Sequence, residues 1–169
     1  MKTDEEFITR KQIRLENFDY SSNGAYFVTV CTKDRQRLFG EIEKTPVGAA
    51  LRGRPNNPHK MIEKWVFEIE KKYNNAKVDY YVIMPDHIHF ILILSGDHTG
   101  SPLQRIMNWF KTMTTNEYIK GIKEGKYMSF DKKLWQRGYF EHIIRNENDL
   151  YEIRQYIENN PKKWVLENK

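Results

Sequence analysis

The chain has one cysteine, Cys31, among its 169 residues, so no disulfide can form within a molecule. Its longest uninterrupted apolar run, F-I-L-I-L at residues 90–94, is far too short to cross a bilayer. The charged N-terminus, M-K-T-D-E-E-F-I-T-R-K, contains no apolar signal region. These absences argue against a disulfide-stabilised secreted scaffold and against a membrane protein, and they predict a soluble cytoplasmic protein.

The composition has no acidic excess. Lys and Arg outnumber Asp and Glu by 28 to 23, which gives a formal net charge of +5. Aromatic residues make up 14% of the chain, including ten Tyr and four Trp. Nucleic-acid surfaces use this combination, because cationic side chains meet phosphates while aromatic rings stack on bases. Rings that fill a core produce the same composition, so a polyanion partner is compatible with these numbers but not required by them.

The predicted secondary-structure elements alternate in type along the chain. Runs rich in β-branched and aromatic residues predict strands over residues 25–32, 79–84, 87–94 and 138–145. Apolar residues at spacings of three and four predict helices that begin at Pro58, with Asn57 as cap, at Pro102 and after the cap Asn146, the last ending at Pro161. The order β-α-β-β-α-β-α predicts an α+β fold. This is the ferredoxin-like split βαβ arrangement, an antiparallel sheet with helices on one face and an added C-terminal helix.

The length predicts a single domain over residues 1–169. Residues 1–24 are polar and mixed in charge, and they are interpreted as an N-terminal arm. Residues 45–58, T-P-V-G-A-A-L-R-G-R-P-N-N-P, collect turn-forming residues and predict a mobile loop.

Two histidines, His87 and His89, stand at the start of a predicted strand, directly after a Pro-Asp turn. Alternate residues of a strand face the same side, so the two rings project together. Such a pair is a good bidentate platform for a metal ion, and it is a poor pair of core residues because each ring has polar nitrogens that need partners. The pair therefore predicts a metal site, although the H-x-H motif alone is not specific. An additional oxygen ligand would favour Mg²⁺ or Mn²⁺.

The remaining ligands and any nucleophile have to come from elsewhere in the chain. Asp86 is the adjacent carboxylate, but strand alternation directs its side chain to the other face, and its position favours an ordinary turn residue. The last predicted helix offers two tyrosine–amide pairs at four-residue spacing, Tyr156 with Asn160 and Tyr151 with Gln155. The pairs lie on opposite flanks of the helix's buried stripe, and helical periodicity does not choose between them.

Three sequence blocks occur in a distinctive order and spacing: M-P-D-H-I-H, then L-W-Q-R-G-Y-F-E-H-I-I-R-N-E, then Y-I-E-N-N-P-K-K-W. Together they resemble the REP-associated tyrosine transposases of the HUH single-tyrosine superfamily, where U is a bulky apolar residue. The stretch I-R-L-E-N-F-D-Y-S-S-N-G-A-Y-F-V-T-V-C-T-K resembles the family's N-terminal strand, so the resemblance covers nearly the whole chain. H-I-H alone is unspecific, whereas the three blocks together are highly specific.

The resemblance implies a role for each of four residues. Tyr156 matches the family's nucleophile, and His87, His89 and Asn160 match its metal ligands, with Mg²⁺ or Mn²⁺ as the cofactor. The implied reaction cuts single-stranded DNA or a DNA hairpin and leaves a 5′-phosphotyrosine link and a free 3′-hydroxyl. The added C-terminal helix would then be the one that carries the tyrosine.

Basic residues beside the matching blocks are candidate DNA contacts. They are Arg137, Arg145, Lys162 and Lys163, together with Arg10, Lys11 and Arg14 in the N-terminal arm. The tyrosine helix follows directly from the fourth predicted strand, so one chain can supply a complete site. A monomer is therefore expected, with a dimer as the alternative.

Two other functions remain open at the level of sequence. A non-catalytic module of the same fold that binds DNA or RNA hairpins would retain every motif. A metal-dependent hydrolase using water would yield a 5′-phosphate and no covalent adduct. An RRM-type RNA-binding domain is disfavoured, because the K/R-G-F/Y-G/A-F-V-x-F/Y pattern is absent.

Overall fold

The computed structural model describes residues 24–45, 48–52, 57–96 and 101–168, with only the backbone described at 43–45 and 48–52. The N-terminal arm before residue 24 lies outside these ranges. The candidate DNA contacts of that arm, Arg10, Lys11 and Arg14, therefore also lie outside the described residues.

Six strands and three α-helices make up the described fold. The strands are β1 (Gly24–Cys31), β2 (Glu41–Thr45), β3 (Gly48–Arg52), β4 (Ala76–Met84), β5 (His87–Leu94) and β6 (Phe140–Ile144). The helices are α1 (His59–Lys72), α2 (Pro102–Lys123) and α3 (Glu147–Glu167). A single 3₁₀ turn, Lys33–Arg35, follows β1.

The central sheet has the strand order β4-β5-β1-β6, and each neighbouring pair is antiparallel. Strands β1 and β4 therefore run in the same direction, with β5 inserted between them. Because α1 connects β1 to β4 and α2 connects β5 to β6, the arrangement is the split βαβ of ferredoxin-like folds. The predicted fold class is confirmed.

The two faces of this sheet carry different side chains. One face, called here the core face, packs against α1 and α2 through alternate residues of the two central strands, among them Val28, Val30, Ile88 and Phe90. The opposite face, called here the site face, carries the intervening residues. There Phe27 and Ile91 pack against Ile153, Tyr156 and Ile157 of α3. The two histidines of β5 belong to the site face by the same alternation.

The predicted side-chain cap is present at the start of α3, whereas the N-cap position of α1 is Pro58 and the predicted cap Asn57 lies one residue before it. Asn146 Oδ1 accepts a hydrogen bond of 2.9 Å from the backbone N–H of Asp149, as predicted for the start of α3. Asn57 Oδ1 accepts a 2.9 Å hydrogen bond from the backbone N–H of His59. The helix itself begins at His59, so Pro58 flanks its first turn.

Two expectations were wrong. Helix α3 does not end at Pro161 but continues to Glu167. A proline removes one backbone hydrogen bond and bends a helix, but packing beyond it can sustain the next turns. Here the Trp164 ring contacts the ring of His87 and the guanidinium of Arg37.

The second error concerns residues 45–58, predicted as a mobile loop. Residues 48–52 of this stretch form β3, which pairs with β2 in a two-stranded antiparallel sheet. The turn formers that suggested a loop surround a short strand, and pairing with β2 stabilises it. Residues 46–47 and 53–56 of the predicted loop lie outside the described residues.

Among the helices that the structure describes, none combines the length and the apolar character needed to cross a membrane.

Candidate metal and tyrosine site

The site begins where β5 follows the Pro85-Asp86 turn. His87 pairs with Cys31 of β1 and His89 pairs with Thr29, so both rings lie at one end of the sheet on the site face. Their Nε2 atoms are 3.0 Å apart, and the side chains are almost completely buried. The two rings were expected to face the same side of the strand, and the register of β5 against β1 places them so.

Each histidine has an oxygen partner on its second nitrogen. His89 Nδ1 lies 2.7 Å from Thr29 Oγ1, and His87 Nδ1 lies 2.5 Å from Asp86 Oδ1. Because Nδ1 of each ring is engaged, the two Nε2 atoms face a common point between the rings. Burial, with smaller effects from the nearby charges of His87 and Arg35, lowers the pKa of His89 well below its ordinary value. The neutral ring that a metal requires is therefore the favoured form of His89.

Asp86 is more than a turn residue. Strand alternation was expected to direct its side chain to the far face, but Asp86 lies in the turn itself, so alternation does not apply to it. Its buried carboxylate contacts His87 and forms an ion pair with Arg35 Nε at 3.0 Å. The signal available in the sequence was the adjacency of Asp and His, since a carboxylate next to a histidine can reach Nδ1.

Helix α3 brings one of its two tyrosine–amide flanks to the histidines. The Tyr156 ring lies 5.4 Å from the His89 ring and 5.9 Å from the Phe27 ring, measured between centroids. Tyr156 is 7% exposed, whereas Tyr151 on the opposite flank is 64% exposed. Packing thus places the Tyr156 flank against the sheet and the Tyr151 flank toward solvent.

Asn160 lies on the same helix flank, between two residues that touch the histidine pair. Tyr156 stands four residues before it and Trp164 four residues after it, and the Trp164 ring lies 6.1 Å from the His87 ring. Residues at spacing four are neighbours along one side of a helix. Asn160 is 4% exposed, and its buried Nδ2 makes no hydrogen bond within the described part of the chain.

This donor set fits a divalent metal ion. Among the described residues, no group of three or more His, Cys, Asp and Glu side chains is placed to hold one, so a third ligand must be of another type. An amide oxygen is a ligand of such a type, and rotating the Asn160 amide by 180° exchanges its nitrogen for an oxygen. The 3.0 Å between the Nε2 atoms is close to the separation of neighbouring ligands around an octahedral ion with bonds of about 2.1 Å.

Comparison with known proteins identifies the family of this chain. The sequence model of the family described as "Transposase IS200 like" matches residues 20–160, most of the chain. The chain belongs to the IS200-like transposase family.

Two proteins of Haemophilus influenzae are relatives of this transposase-family chain. An uncharacterized protein is 31% identical over 168 residues, which covers 92% of this chain and 89% of the relative. A provisionally named REP-associated tyrosine transposase is 23% identical over 154 residues, covering 86% of this chain and 74% of the relative.

Two solved structures share the fold. A REP-associated tyrosine transposase bound to a REP hairpin matches with a TM-score of 0.59 and 21% identity, over 89% of this chain and 74% of that one. A provisionally named transposase from Deinococcus radiodurans matches with a TM-score of 0.51 and 18% identity, over 86% and 97%. With these findings, the resemblance to REP-associated tyrosine transposases is confirmed.

The candidate DNA contacts of this family member are divided between the two ends of the sheet. Arg137 is exposed in the segment where Gln136 N donates to Cys31 O, so it lies at the histidine end. Lys162 and Lys163 follow Asn160 and Pro161 on α3. Arg145 follows the last residue of β6 and is five residues from Phe140, which is level with His89, so it lies roughly 16 Å along the strand from that level at about 3.3 Å per residue.

One further histidine and two tryptophans also have identifiable partners. His142 Nε2 lies 3.0 Å from Asp149 Oδ2, on the first turn of α3. The buried Trp135 donates from Nε1 to Thr114 Oγ1 at 2.9 Å, so this ring packs in the core. Trp164 is only partly buried and borders the site, where its ring contacts the ring of His87.

Proposed function

We propose that this chain is a metal-dependent single-stranded DNA endonuclease and strand transferase that forms a 5′-phosphotyrosine intermediate at hairpin or repeat sequences. One observation carries the proposal: one flank of α3 brings the Tyr156 ring to His89 and the Trp164 ring to His87, with the buried Asn160 between them on the same flank, where the two histidine Nε2 atoms lie 3.0 Å apart. A structural neighbour, a REP-associated tyrosine transposase, was solved bound to a REP hairpin, which makes hairpin DNA the substrate class to test first.

The metal-binding residues in this proposal are His87, His89 and Asn160, and the ion is Mg²⁺ or Mn²⁺. When bound, the ion would supply Lewis-acid chemistry, neutralising charge on the phosphate and on the departing 3′-oxygen. The protein's own contribution is to hold two neutral imidazoles and one amide at a buried position, where electrostatic interactions are stronger than in water.

Tyr156 is the nucleophile in this proposal. Its Oη loses its proton and forms a bond to phosphorus, while the bond from phosphorus to the 3′-oxygen breaks and that oxygen leaves as a hydroxyl. The phosphotyrosine link keeps the phosphoester bond, so a later attack by a 3′-hydroxyl rejoins DNA and restores the tyrosine. Strand transfer by this route needs no nucleotide hydrolysis.

The burial of Tyr156 adds a requirement to this mechanism. A side chain that is 7% exposed cannot meet a DNA phosphate in the conformation described, so the contact between α3 and the sheet has to open first. The same burial favours a second candidate function, a hairpin-binding module that does not cut. Both functions predict DNA binding, and they differ in whether a covalent adduct forms.

An adduct assay separates these functions. A labelled single-stranded hairpin oligonucleotide is incubated with the protein and Mg²⁺ or Mn²⁺, and the products are run on a denaturing gel. We expect a covalent adduct that is lost in Tyr156→Phe and kept in Tyr151→Phe. Tyr151 is a matched control because it lies on the same helix but is exposed.

Each other result points to a different function. An adduct that survives in Tyr156→Phe contradicts the assignment of the nucleophile. Metal-dependent cleavage that releases a 5′-phosphate without an adduct indicates a hydrolase. Binding of the hairpin without cleavage, under any divalent metal, supports the non-catalytic module.

A further inference from the structure

The carboxylate of Asp86 is held between two partners. Its Oδ1 lies 2.5 Å from His87 Nδ1, and its Oδ2 forms an ion pair with Arg35 Nε at 3.0 Å. Its backbone carbonyl accepts hydrogen bonds of 2.9 and 3.0 Å from the N–H and the hydroxyl of Thr32. The side chain of Asp86 is 6% exposed, so a buried charge is retained here with both of its oxygens engaged.

An unusual backbone conformation brings Arg35 to this carboxylate. Asp34 and Arg35 have φ angles of +56° and +54°, in the left-handed region that side chains rarely adopt. Such conformations persist where the surrounding structure holds them. Here Arg35 is held at both ends of its guanidinium, since Nη1 also contacts Cys31 Sγ at 2.8 Å.

The Asp86 carboxylate determines the direction of the adjoining hydrogen bonds. A carboxylate only accepts, so His87 has to donate from Nδ1, and in the neutral form that metal binding requires, the Nε2 of this ring keeps a lone pair. That lone pair lies 3.0 Å from His89 Nε2, which then donates, and His89 Nδ1 accepts from the Thr29 hydroxyl. A metal would use the lone pair of His87 as it stands. His89 would need only to transfer its proton from Nε2 to Nδ1, where the Thr29 oxygen can accept.

We propose that Asp86, fixed by Arg35, is a positioning residue for the candidate metal site, because it sets the tautomer and orientation of His87. The inference rests on the proposed function, since the metal gives that orientation its purpose. It assigns a role in the site to Asp86 and Arg35, neither of which is a proposed metal ligand or the proposed nucleophile.

The chain offers matched controls for this proposal. His142 and Asp149 form another carboxylate–histidine contact, at 3.0 Å, and Arg154 and Asp79 form another arginine–aspartate pair, with bonds of 2.5 and 2.8 Å. Asp149→Asn and Arg154→Gln therefore remove the same chemistry without touching His87.

The first measurement is the Mn²⁺ affinity by calorimetry. We expect Asp86→Asn and Asp86→Ala to raise the Mn²⁺ dissociation constant roughly 10- to 100-fold, the usual loss for a partner in the outer sphere of a metal site. Arg35→Gln should raise the dissociation constant by less. For Asp149→Asn and Arg154→Gln the dissociation constant should stay within about twofold of the wild-type value, as expected for residues that contact no proposed metal ligand.

The second measurement is ¹⁵N NMR of the histidine side chains in the wild-type protein, which needs no variant to fold. Without metal, His87 should carry its proton on Nδ1 and His89 on Nε2. A wild-type His87 with no proton on Nδ1 overturns the proposal. In folded Asp86→Ala, His87 should become a mixture of tautomers. If the histidine spectrum of this variant matches the wild-type spectrum and its Mn²⁺ affinity is unchanged, the proposal is also overturned.

The two proposals fail in different ways. If the wild type binds Mn²⁺ and forms the DNA adduct while the Asp86 and Arg35 variants bind Mn²⁺ equally well, only the positioning role is wrong. If the wild type binds no Mn²⁺ and forms no adduct, the proposed function is wrong and the positioning role fails with it.

Discussion

The core face and the site face of the sheet are built from the same two central strands, yet they differ in chemistry. On the core face, β1 and β5 present apolar side chains along their lengths, and these pack against α1 and α2. On the site face, apolar residues give way near one end to Thr29, His87 and His89. Because strand residues alternate, one stretch of sequence can supply the folding energy on one side and polar chemistry on the other.

The helices that cover the two faces are anchored to different extents. The core face contacts two helices through a large apolar cluster, whereas α3 covers the site face through the small cluster of Phe27, Ile91, Ile153, Tyr156 and Ile157. A bidentate ion pair between Arg154 and Asp79 also ties α3 to β4. The difference indicates that α3 is the more easily displaced layer, and the proposed function requires such displacement because Tyr156 is buried.

The largest effect on stability is expected from the core face. Phe90 is fully buried and packs edge-on against Phe110, so Phe90→Ala should lower the free energy of unfolding by about 3–5 kcal/mol. Urea denaturation followed by circular dichroism measures this change. A loss under about 1 kcal/mol would mean that the core face does not dominate stability.

A substitution at His89, the residue before Phe90, should cost little stability but much of the affinity for a metal ion. His89→Phe keeps an aromatic ring beside Phe27 but leaves the Thr29 hydroxyl without its partner, at a cost of about 1–2 kcal/mol. Mn²⁺ affinity should fall by more than about 100-fold, since even an outer-sphere partner accounts for 10- to 100-fold. A variant that loses as much stability as Phe90→Ala, or that binds Mn²⁺ normally, contradicts the division between the faces.

Sequence patterns predicted this division where it depends on local periodicity. The alternation that puts His87 and His89 together and the four-residue spacing of Tyr156 and Asn160 are both properties of a single element. Thr29 is a partner of His89 because β1 lies beside β5 in the sheet. The split βαβ arrangement, which was predicted from the βα pattern, places these two strands next to each other.

The parts that sequence missed depend on contacts between distant segments. Arg35 contacts Asp86 from a turn in which both Asp34 and Arg35 adopt positive φ angles. Neither residue is a glycine, so the sequence K-D-R does not mark this turn. The continuation of α3 beyond Pro161 depends on where Trp164 packs. The choice between Tyr156 and Tyr151 came from family resemblance in the sequence, and burial now distinguishes the two flanks independently.

Hydrogen exchange should resolve the difference in anchoring between helices. Amides in the middle of α3, near Tyr156, should exchange at least about tenfold faster than those in the middle of α2, near Phe110, which corresponds to about 1.4 kcal/mol in opening free energy. Mass spectrometry of exchanged peptides makes this comparison in the intact protein. Equal protection of the two helices would mean that α3 opens only with global unfolding, and it would favour the hairpin-binding module over the nuclease.

The smallest expected effect is the contribution of Lys111, a polar residue of the helix α2 that covers the core face, to the pH dependence of stability. Lys111 of α2 donates to the carbonyls of Gln136, Arg137 and Gly138 at 2.9, 3.2 and 2.7 Å. Burial lowers the pKa of Lys111 to about 8, against about 10.4 in an unfolded chain. Between these values the unfolded chain binds more protons than the folded one, so this lysine should make the protein more stable as the pH rises from 8 to 10.

The measurement is the difference in unfolding free energy between the wild type and Lys111→Met at pH 8 and at pH 10. We expect the difference to shift in favour of the wild type by about 1 kcal/mol, less than the full pKa shift implies because three carbonyls stabilise the ammonium. Repeating it in a Cys31→Ala background removes the nearby thiol, whose own pKa burial raises. A difference that stays constant or moves against the wild type would show that the carbonyls outweigh desolvation. Lys111 would then stay protonated while it holds the segment that carries Arg137, and α2 would contribute a permanent positive charge at the histidine end of the sheet.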